Sequence, residues 1–591
     1  MPEQGWNVND IVHENDFDKL FRRVELDLPK FKRFFNKMHP NMSKQKFNEA
    51  VDFNEKISER IHMLYSRYAL LEEVNHKDQV AKKQVARVQE LSIRAEDASR
   101  KITLWIRGKK IDGKNILDDE NAKRLFLSVP GLEYALKRSR DAAKYTLSEF
   151  EERIITKKDS TGLSPLLDLR ALIETDLVFP VKVGNKPAKI YRTVDEVTRH
   201  FTSSKPMIRR AAYVSLLSTY KKNIEKFFLI YQAVVKNWNN EANIRGYKSP
   251  ISIRNFANNI PDEVTSKLID VCVKNKSLFH RYFEFKAKEL RVKKLKRFDI
   301  YAPIPKHEER SYSYNQSVNI VLSVLGDFCN TFKVYAERII NENHIDVYPR
   351  PNKTSGAFCS SVTPNITPYV LLNFTGRKRD VMTMAHELGH GIHGIYSNKN
   401  RLGAYHANLP LSETASTFSE MLVFESLINN AKTVQERKAL LFEKMADSYA
   451  TILRQCYFVK FELIAHRSIK EGITPEELSN SYFSLLKEQF GNVVDIDPLF
   501  RYEWAYIPHI VVNPFYCYAY NFGELLSLAL FARYKKEGSN FVHKIEKILS
   551  YGGSKDPQEV LREVGVDITS RSFWQSSFNI LDSWQTQLDG G

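Results

Sequence analysis

The chain has 591 residues, 43% hydrophobic and 27% charged, with 88 Lys and Arg against 71 Asp and Glu for a formal net charge of +17. That composition supplies a large core, and no uninterrupted apolar run approaches the ~18 residues of a membrane-spanning helix, so no membrane association is expected. The five cysteines, Cys272, Cys329, Cys359, Cys456 and Cys517, are scattered without CxxC spacing, which excludes a cysteine-based metal site and fits free thiols in a reducing cytoplasm.

The opening MPEQGWNVND has neither a basic nor an apolar leader region, so no secretory signal is expected. From Asp16 to Lys158 the periodicity predicts successive amphipathic helices. Phe17, Leu20, Phe21 and Val24 share one helical face, as do Phe47, Val51, Ile57, Ile61, Leu64 and Tyr65 on the next helix. Residues 1–158 therefore read as a helical scaffold. Composition shifts at Lys158-Asp159-Ser160-Thr161-Gly162, and Val178-Phe179-Pro180-Val181-Lys182-Val183-Gly184 reads as a short hairpin, which makes 159–200 a small mixed linker. Helices resume from Thr193, and 201–591 is expected to form one catalytic domain.

The densest basic run, Arg291-Val292-Lys293-Lys294-Leu295-Lys296-Arg297, lacks interleaved aromatics and any recognisable nucleic-acid module. It reads as a solvated basic face that steers acidic peptides, with no specific nucleic-acid partner. Further on, Tyr369-Val370-Leu371-Leu372-Asn373-Phe374 is β-prone, and Gly356-Ala357-Phe358-Cys359-Ser360 is a smaller strand candidate. An edge strand beside a metal helix can hold a substrate backbone by strand addition, and Gly356 to Phe358, with Ala357 between, is the candidate edge. An ordinary sheet strand fits the same residues.

The stretch that carries chemistry runs from Asp380 to Glu420 and contains His386-Glu387-Leu388-Gly389-His390. Two histidines four apart lie one above the other on a helix, so both can bind one ion, and Glu387 projects beside it to take a proton from metal-bound water. Val381, Ala385, Leu388, Ile392 and Ile395 form an apolar stripe, with Asp380 as the expected N-cap. Gly389, Gly391 and Gly394 each cost up to about 1 kcal/mol in a helix interior, which predicts a close approach by another backbone or a ligand. His393 lies about 10.5 Å along the helix axis from His386, too far to share a tetrahedral centre, and reads as a supporting or cleft residue. Pro410 and Ser412 announce a second helix in which Glu413 is the expected third ligand. Glu420, on the same face, is the expected partner for a ligand's free ring nitrogen.

Downstream, Trp504 to Gly523 is a loop leading into a helix, crowded with His509, Tyr506, Tyr516, Tyr518 and Tyr520. A phenol or imidazole aimed at a peptide carbonyl would stabilise its developing negative charge, and an aromatic core would use the same residues.

HELGHGIH followed by LSETASTFSEML resembles the oligoendopeptidase F family, in the thimet oligopeptidase and neurolysin group of zinc metallopeptidases. The resemblance extends through IPH and FYCYAY to YGGSKDP and GVDIT, and is strongest from Asp299 onward. It implies a mainly α, two-lobed body with a deep central channel and a small β-sheet next to the HExxH helix. One Zn²⁺ per chain would sit on His386, His390 and Glu413, and His509 and Tyr520 would stabilise the transition state, with either Tyr516 or Tyr518 assisting. The implied activity is endopeptidase cleavage of short oligopeptides in the cytoplasm. A zinc carboxypeptidase or dipeptidyl carboxypeptidase could use the same ligands, and a non-catalytic peptide-binding scaffold is the contrasting class. The oligomeric state is left open.

Overall fold

A computed structural model describes residues 5–304 and 311–590; the leading MPEQ of the segment read for a secretory signal lies outside them. The described chain is mainly helical. It divides into two compact units, each built from three separate stretches: residues 1–149, 309–426 and 533–567, and residues 150–308, 427–532 and 568–591.

In the first unit the predicted amphipathic helices are Glu14–Asp27, Lys44–Val74 and Gln79–Ile106. Phe17, Phe21, Val24, Phe47, Val51, Ile57, Ile61 and Leu64 are buried in its core, whereas Tyr65 is 40% exposed and leaves the expected stripe. The middle stretch of this unit supplies a three-stranded sheet. Tyr369–Leu371 is its buried centre, Ile345–Asp346 runs parallel on one side, and Phe358–Ser360 runs antiparallel on the other. The register pairs Phe358 with Leu371, Cys359 with Val370 and Ser360 with Tyr369.

A buried ionic cluster fixes the loop that enters the outer strand. Asp346 takes two bonds from Arg350, at 2.7 and 2.6 Å, and pairs with the fully buried Lys353 at 2.6 Å. Lys353 also donates to the Tyr348 and Leu372 carbonyls, so each of these buried charges has partners, as burial demands.

In the second unit the expected hairpin consists of Phe179–Val181 paired antiparallel with Lys189–Tyr191, so its second strand lies beyond the predicted segment. Lys158, the expected boundary, falls inside a continuous helix, Glu149–Thr161. The basic run is only partly a solvated face. Arg291 to Lys293 are exposed, but Leu295 and Arg297 are buried, and Arg297 pairs with Glu503 at 2.6 Å. Tyr482 donates to the other Glu503 oxygen at 3.0 Å, so both oxygens of this buried carboxylate are engaged. All five cysteines are free thiols, and no helix among the described residues is long and apolar enough to cross a membrane.

Candidate metal centre

The HExxH helix spans Lys378–Ser397. Asp380 stands in its first turn rather than at the N-cap. Its carboxylate accepts from the Thr375 N–H (2.7 Å) and hydroxyl (2.8 Å) and from the Arg377 N–H (3.1 Å), satisfying donors that the helix start leaves open. The whole apolar stripe from Val381 to Ile395 is buried.

Close approach occurs where the glycines stand. A Cβ at position 389 would lie 2.6 Å from both the Ala415 carbonyl oxygen and the Ser416 Cα, so only hydrogen fits between the two backbones. At 394 a Cβ would meet the Ser361 Oγ at 2.6 Å and the Pro368 Cγ at 2.8 Å. Gly389 thus lets the second helix, Thr414–Asn429, begin directly against the first.

That contact sets the third ligand in place. Glu413, at the break between Leu409–Ser412 and Thr414–Asn429, brings Oε2 to 3.4 Å from His386 Nε2 and 3.3 Å from His390 Nε2. The three ligand atoms all lie within 4.8 Å of one another. Glu420 contacts His386 Nδ1 at 3.2 Å, the nitrogen left free by the centre. Ser416, which sequence reasoning missed, donates to Glu413 Oε2 at 2.9 Å and to the Glu413 carbonyl at 3.1 Å, and so aims the carboxylate. Its only sequence signal is a hydroxyl one helical turn after an acid.

Burial opposes protonation of His386, but the Glu413 and Glu420 carboxylates outweigh it and push the ring up to about 10. Burial raises Glu413, but the two imidazoles outweigh it and hold its carboxyl well below the usual range. Glu387 is 6% exposed, and burial raises its carboxyl against the opposing pull of His386 and His390. Two imidazole nitrogens and one carboxylate converging with an ionisable acid alongside are the donor set of a catalytic zinc site, so these residues fit the ion.

His393 does not join the ligands. It is buried, burial pushes its ring down to about 4, and it bonds the backbone of Ser412, the residue preceding Glu413. Gly356 and Ala357 lie just ahead of the outer strand, which begins at Phe358. The Asn373 side chain holds the Thr354 and Gly356 carbonyls at 2.9 and 2.7 Å. Cys359, on that strand, is half-buried and near enough to Glu387 for the carboxylate to add to the desolvation that raises its thiol.

The second unit carries the aromatic group. His509 opens a short helix, His509–Val512, and Tyr520 lies in the first turn of the helix Tyr518–Glu537. The Tyr520 hydroxyl and His509 Nε2 are 3.3 Å apart, and the Tyr516 and Tyr520 rings meet edge to face with centroids 5.2 Å apart. Tyr518 points elsewhere: it is fully buried and accepts from the Asn258 side chain at 2.7 Å. The Tyr506 hydroxyl accepts from Arg454 at 3.1 Å. Burial, assisted by the Arg454 charge, lowers His509 and favours the neutral ring.

Comparison with known proteins gives a consistent picture. The model of peptidase family M3 matches residues 200–580. The chain is 26% identical over 575 residues to oligopeptidase PepF of Bacillus subtilis, covering 96% of this chain and 84% of that protein. It is 30% identical over 421 residues to the chromosomal oligoendopeptidase F of Lactococcus lactis subsp. cremoris, covering 70% and 69%. In fold it is similar to the crystal structure of oligoendopeptidase F from Enterococcus faecium, with a TM-score of 0.72 and 22% identity over 98% of this chain and 99% of that one.

Proposed function

The chain belongs to peptidase family M3, and from that premise we propose that it is a zinc-dependent endopeptidase that hydrolyses internal bonds of short oligopeptides. The observation that carries the reading is the meeting of His386 Nε2, His390 Nε2 and a Glu413 oxygen within 4.8 Å, with the Glu387 carboxyl buried alongside. Zinc held by those three side chains would supply a Lewis acid for the scissile carbonyl and make water acidic enough to ionise near neutral pH. Glu387 accepts the proton of the attacking water and delivers it to the leaving amine. Its raised, buried carboxyl suits a group that must both take and return a proton.

Glu420 fixes the His386 ring through Nδ1, and Ser416 fixes Glu413, so neither ligand has to be reoriented as the ion binds. His509 and Tyr520 donate hydrogen bonds to the oxyanion as it forms, with Tyr516 packed against Tyr520 to limit the motion of its ring. The substrate backbone pairs with the outer strand at Phe358–Ser360, which gives affinity with little regard to side chains. Substrates of oligopeptide size are supported by the relatives, an oligopeptidase and an oligoendopeptidase.

The test is an internally quenched oligopeptide with a blocked C-terminus, its products identified by mass. Cleavage within the chain, lost on chelation and restored by one equivalent of zinc per chain, is expected. Trimming only of the unblocked peptide would make the protein a carboxypeptidase, and zinc binding with cleavage of neither would make it a scaffold. For Tyr520→Phe, kcat falls by about 10²-fold with KM little changed, the pattern of a donor that acts only in the transition state. An unchanged kcat would return Tyr520 to the core.

A further inference from the structure

The segment between His509 and Tyr520 is centred on one tight turn, Asn513 to Tyr516. The Asn513 N–H bonds the His509 carbonyl at 2.9 Å, the Tyr516 N–H bonds the Asn513 carbonyl at 3.1 Å, and the Ala519 N–H bonds Tyr516 at 2.9 Å. Pro514 stands second in this turn, and Phe515, the third residue, has φ +58°. Proline followed by a left-handed residue is the pattern in which glycine is favoured at the third position, and any side chain there is strained. Phe515 is also fully buried, and its N–H lies outside the turn's own hydrogen bond, so it needs an acceptor from elsewhere.

Glu462 provides that acceptor from the helix Gln455–Glu471. Its Oε1 receives the Phe515 N–H at 2.5 Å. Glu462 is itself fully buried, and its second oxygen has no hydrogen-bond partner among the described residues. Placing a carboxyl there is costly, and the one bond it makes goes to the strained residue. Burial pushes the group up to about 8.

Other residues grip the same turn. Arg254 donates to the Pro514 carbonyl at 3.1 Å and to the Asn513 side chain. His466, one helical turn after Glu462, sets its ring against that of Phe515 with centroids 4.5 Å apart, and is itself held by Asn239 at 2.8 Å. The strained conformation is therefore over-determined by its surroundings, the condition under which such strain persists at functional sites.

We propose that Glu462 is a positioning residue: by holding Phe515 in its left-handed conformation it sets the spacing of His509 and Tyr520, and through them the aim of the oxyanion donors. The catalytic part rests on the role given to that pair above, whereas the geometric part stands independently of it. Misplacing a catalytic group by about 1 Å can cost up to 10²-fold in rate, so the effect is measurable.

The experiment compares Glu462→Leu, which removes the acceptor, with Glu462→Gln, which keeps a neutral one of the same shape. Glu462→Leu is expected to lower kcat about tenfold or more, with KM and zinc content unchanged and the His509–Tyr520 separation in its crystal structure lengthened beyond 3.3 Å. Glu462→Gln restores most of the rate. In a Tyr520→Phe background Glu462→Leu adds little, because both changes remove the same contribution.

Arg254→Met, at a half-buried position, is expected to show the same kcat-selective loss, and decides the matter if Glu462→Leu does not fold. Full kcat in Glu462→Leu, equal damage from Gln and Leu, or losses that follow zinc content would each overturn the proposal. If Tyr520→Phe alone keeps its rate, the oxyanion assignment falls instead. The separation in Glu462→Leu then decides the geometric part, and an unchanged 3.3 Å would overturn it.

Discussion

Glu387→Gln is expected to lower kcat by about 10³-fold or more, within the range of general-base losses, while the protein keeps its zinc. Glutamine matches the volume and polarity of the acid at a position only 6% exposed, so packing is preserved. It lies outside the group formed by His386, His390 and Glu413, so the ion loses no donor. What disappears is the capacity to take a proton. Because burial already disfavours the charged form of Glu387, the neutral amide should leave thermal stability unchanged or slightly higher. The measurements are zinc content after dialysis, kcat on a quenched oligopeptide, and the melting temperature. A variant that turns over near the parental rate would remove Glu387 from the proton transfer, and one that loses zinc would make it a ligand.

The features legible in the sequence are those that depend on short-range periodicity. Helical geometry alone puts His386 and His390, one turn apart, on one face, and the seven-residue spacing of Glu413 and Glu420 points both acids to the same side, although Glu413 stands just before the helix that carries Glu420. The sheet beside the helix was readable from its β-prone run, although Ile345–Asp346, two residues long, gave no periodic signal.

Features that depend on distant partners were not readable. Arg297 ends a basic run and looks solvated until Glu503, 206 positions away, is brought against it. Tyr518 and Tyr520 are alternate residues of the same aromatic run. Only the burial of the Tyr518 hydroxyl against Asn258, 260 positions earlier, separates the core tyrosine from the one beside His509. Each unit is likewise assembled from three stretches, and the helix Glu149–Thr161 continues past Lys158 because a composition shift does not interrupt helical hydrogen bonding.

Gly389→Ala is expected to cost as much as deleting a ligand, although the substitution lies on the buried side of the helix and favours helix formation by about 1 kcal/mol. The added methyl would meet the Ala415 carbonyl oxygen and Ser416 Cα at 2.6 Å and the Ser416 nitrogen at 2.9 Å. All three are backbone atoms and cannot rotate aside. Restoring ordinary contact distances requires the second helix to retreat by roughly 1 Å, and Glu413 lies two residues before Ala415. Zinc–oxygen bonds tolerate only about 0.2 Å of departure, so the carboxylate would leave bonding range. Losing a group that merely orients a ligand costs about 10–100-fold in metal affinity, and displacing the ligand itself should cost at least the upper end of that range.

Gly391→Ala is the control. A methyl there meets the tip of the Ile339 side chain at 2.5 Å, which can turn away, so zinc should be retained. Competition with a chromogenic chelator measures both variants. Parental affinity in Gly389→Ala would show that the second helix does not owe its position to this contact.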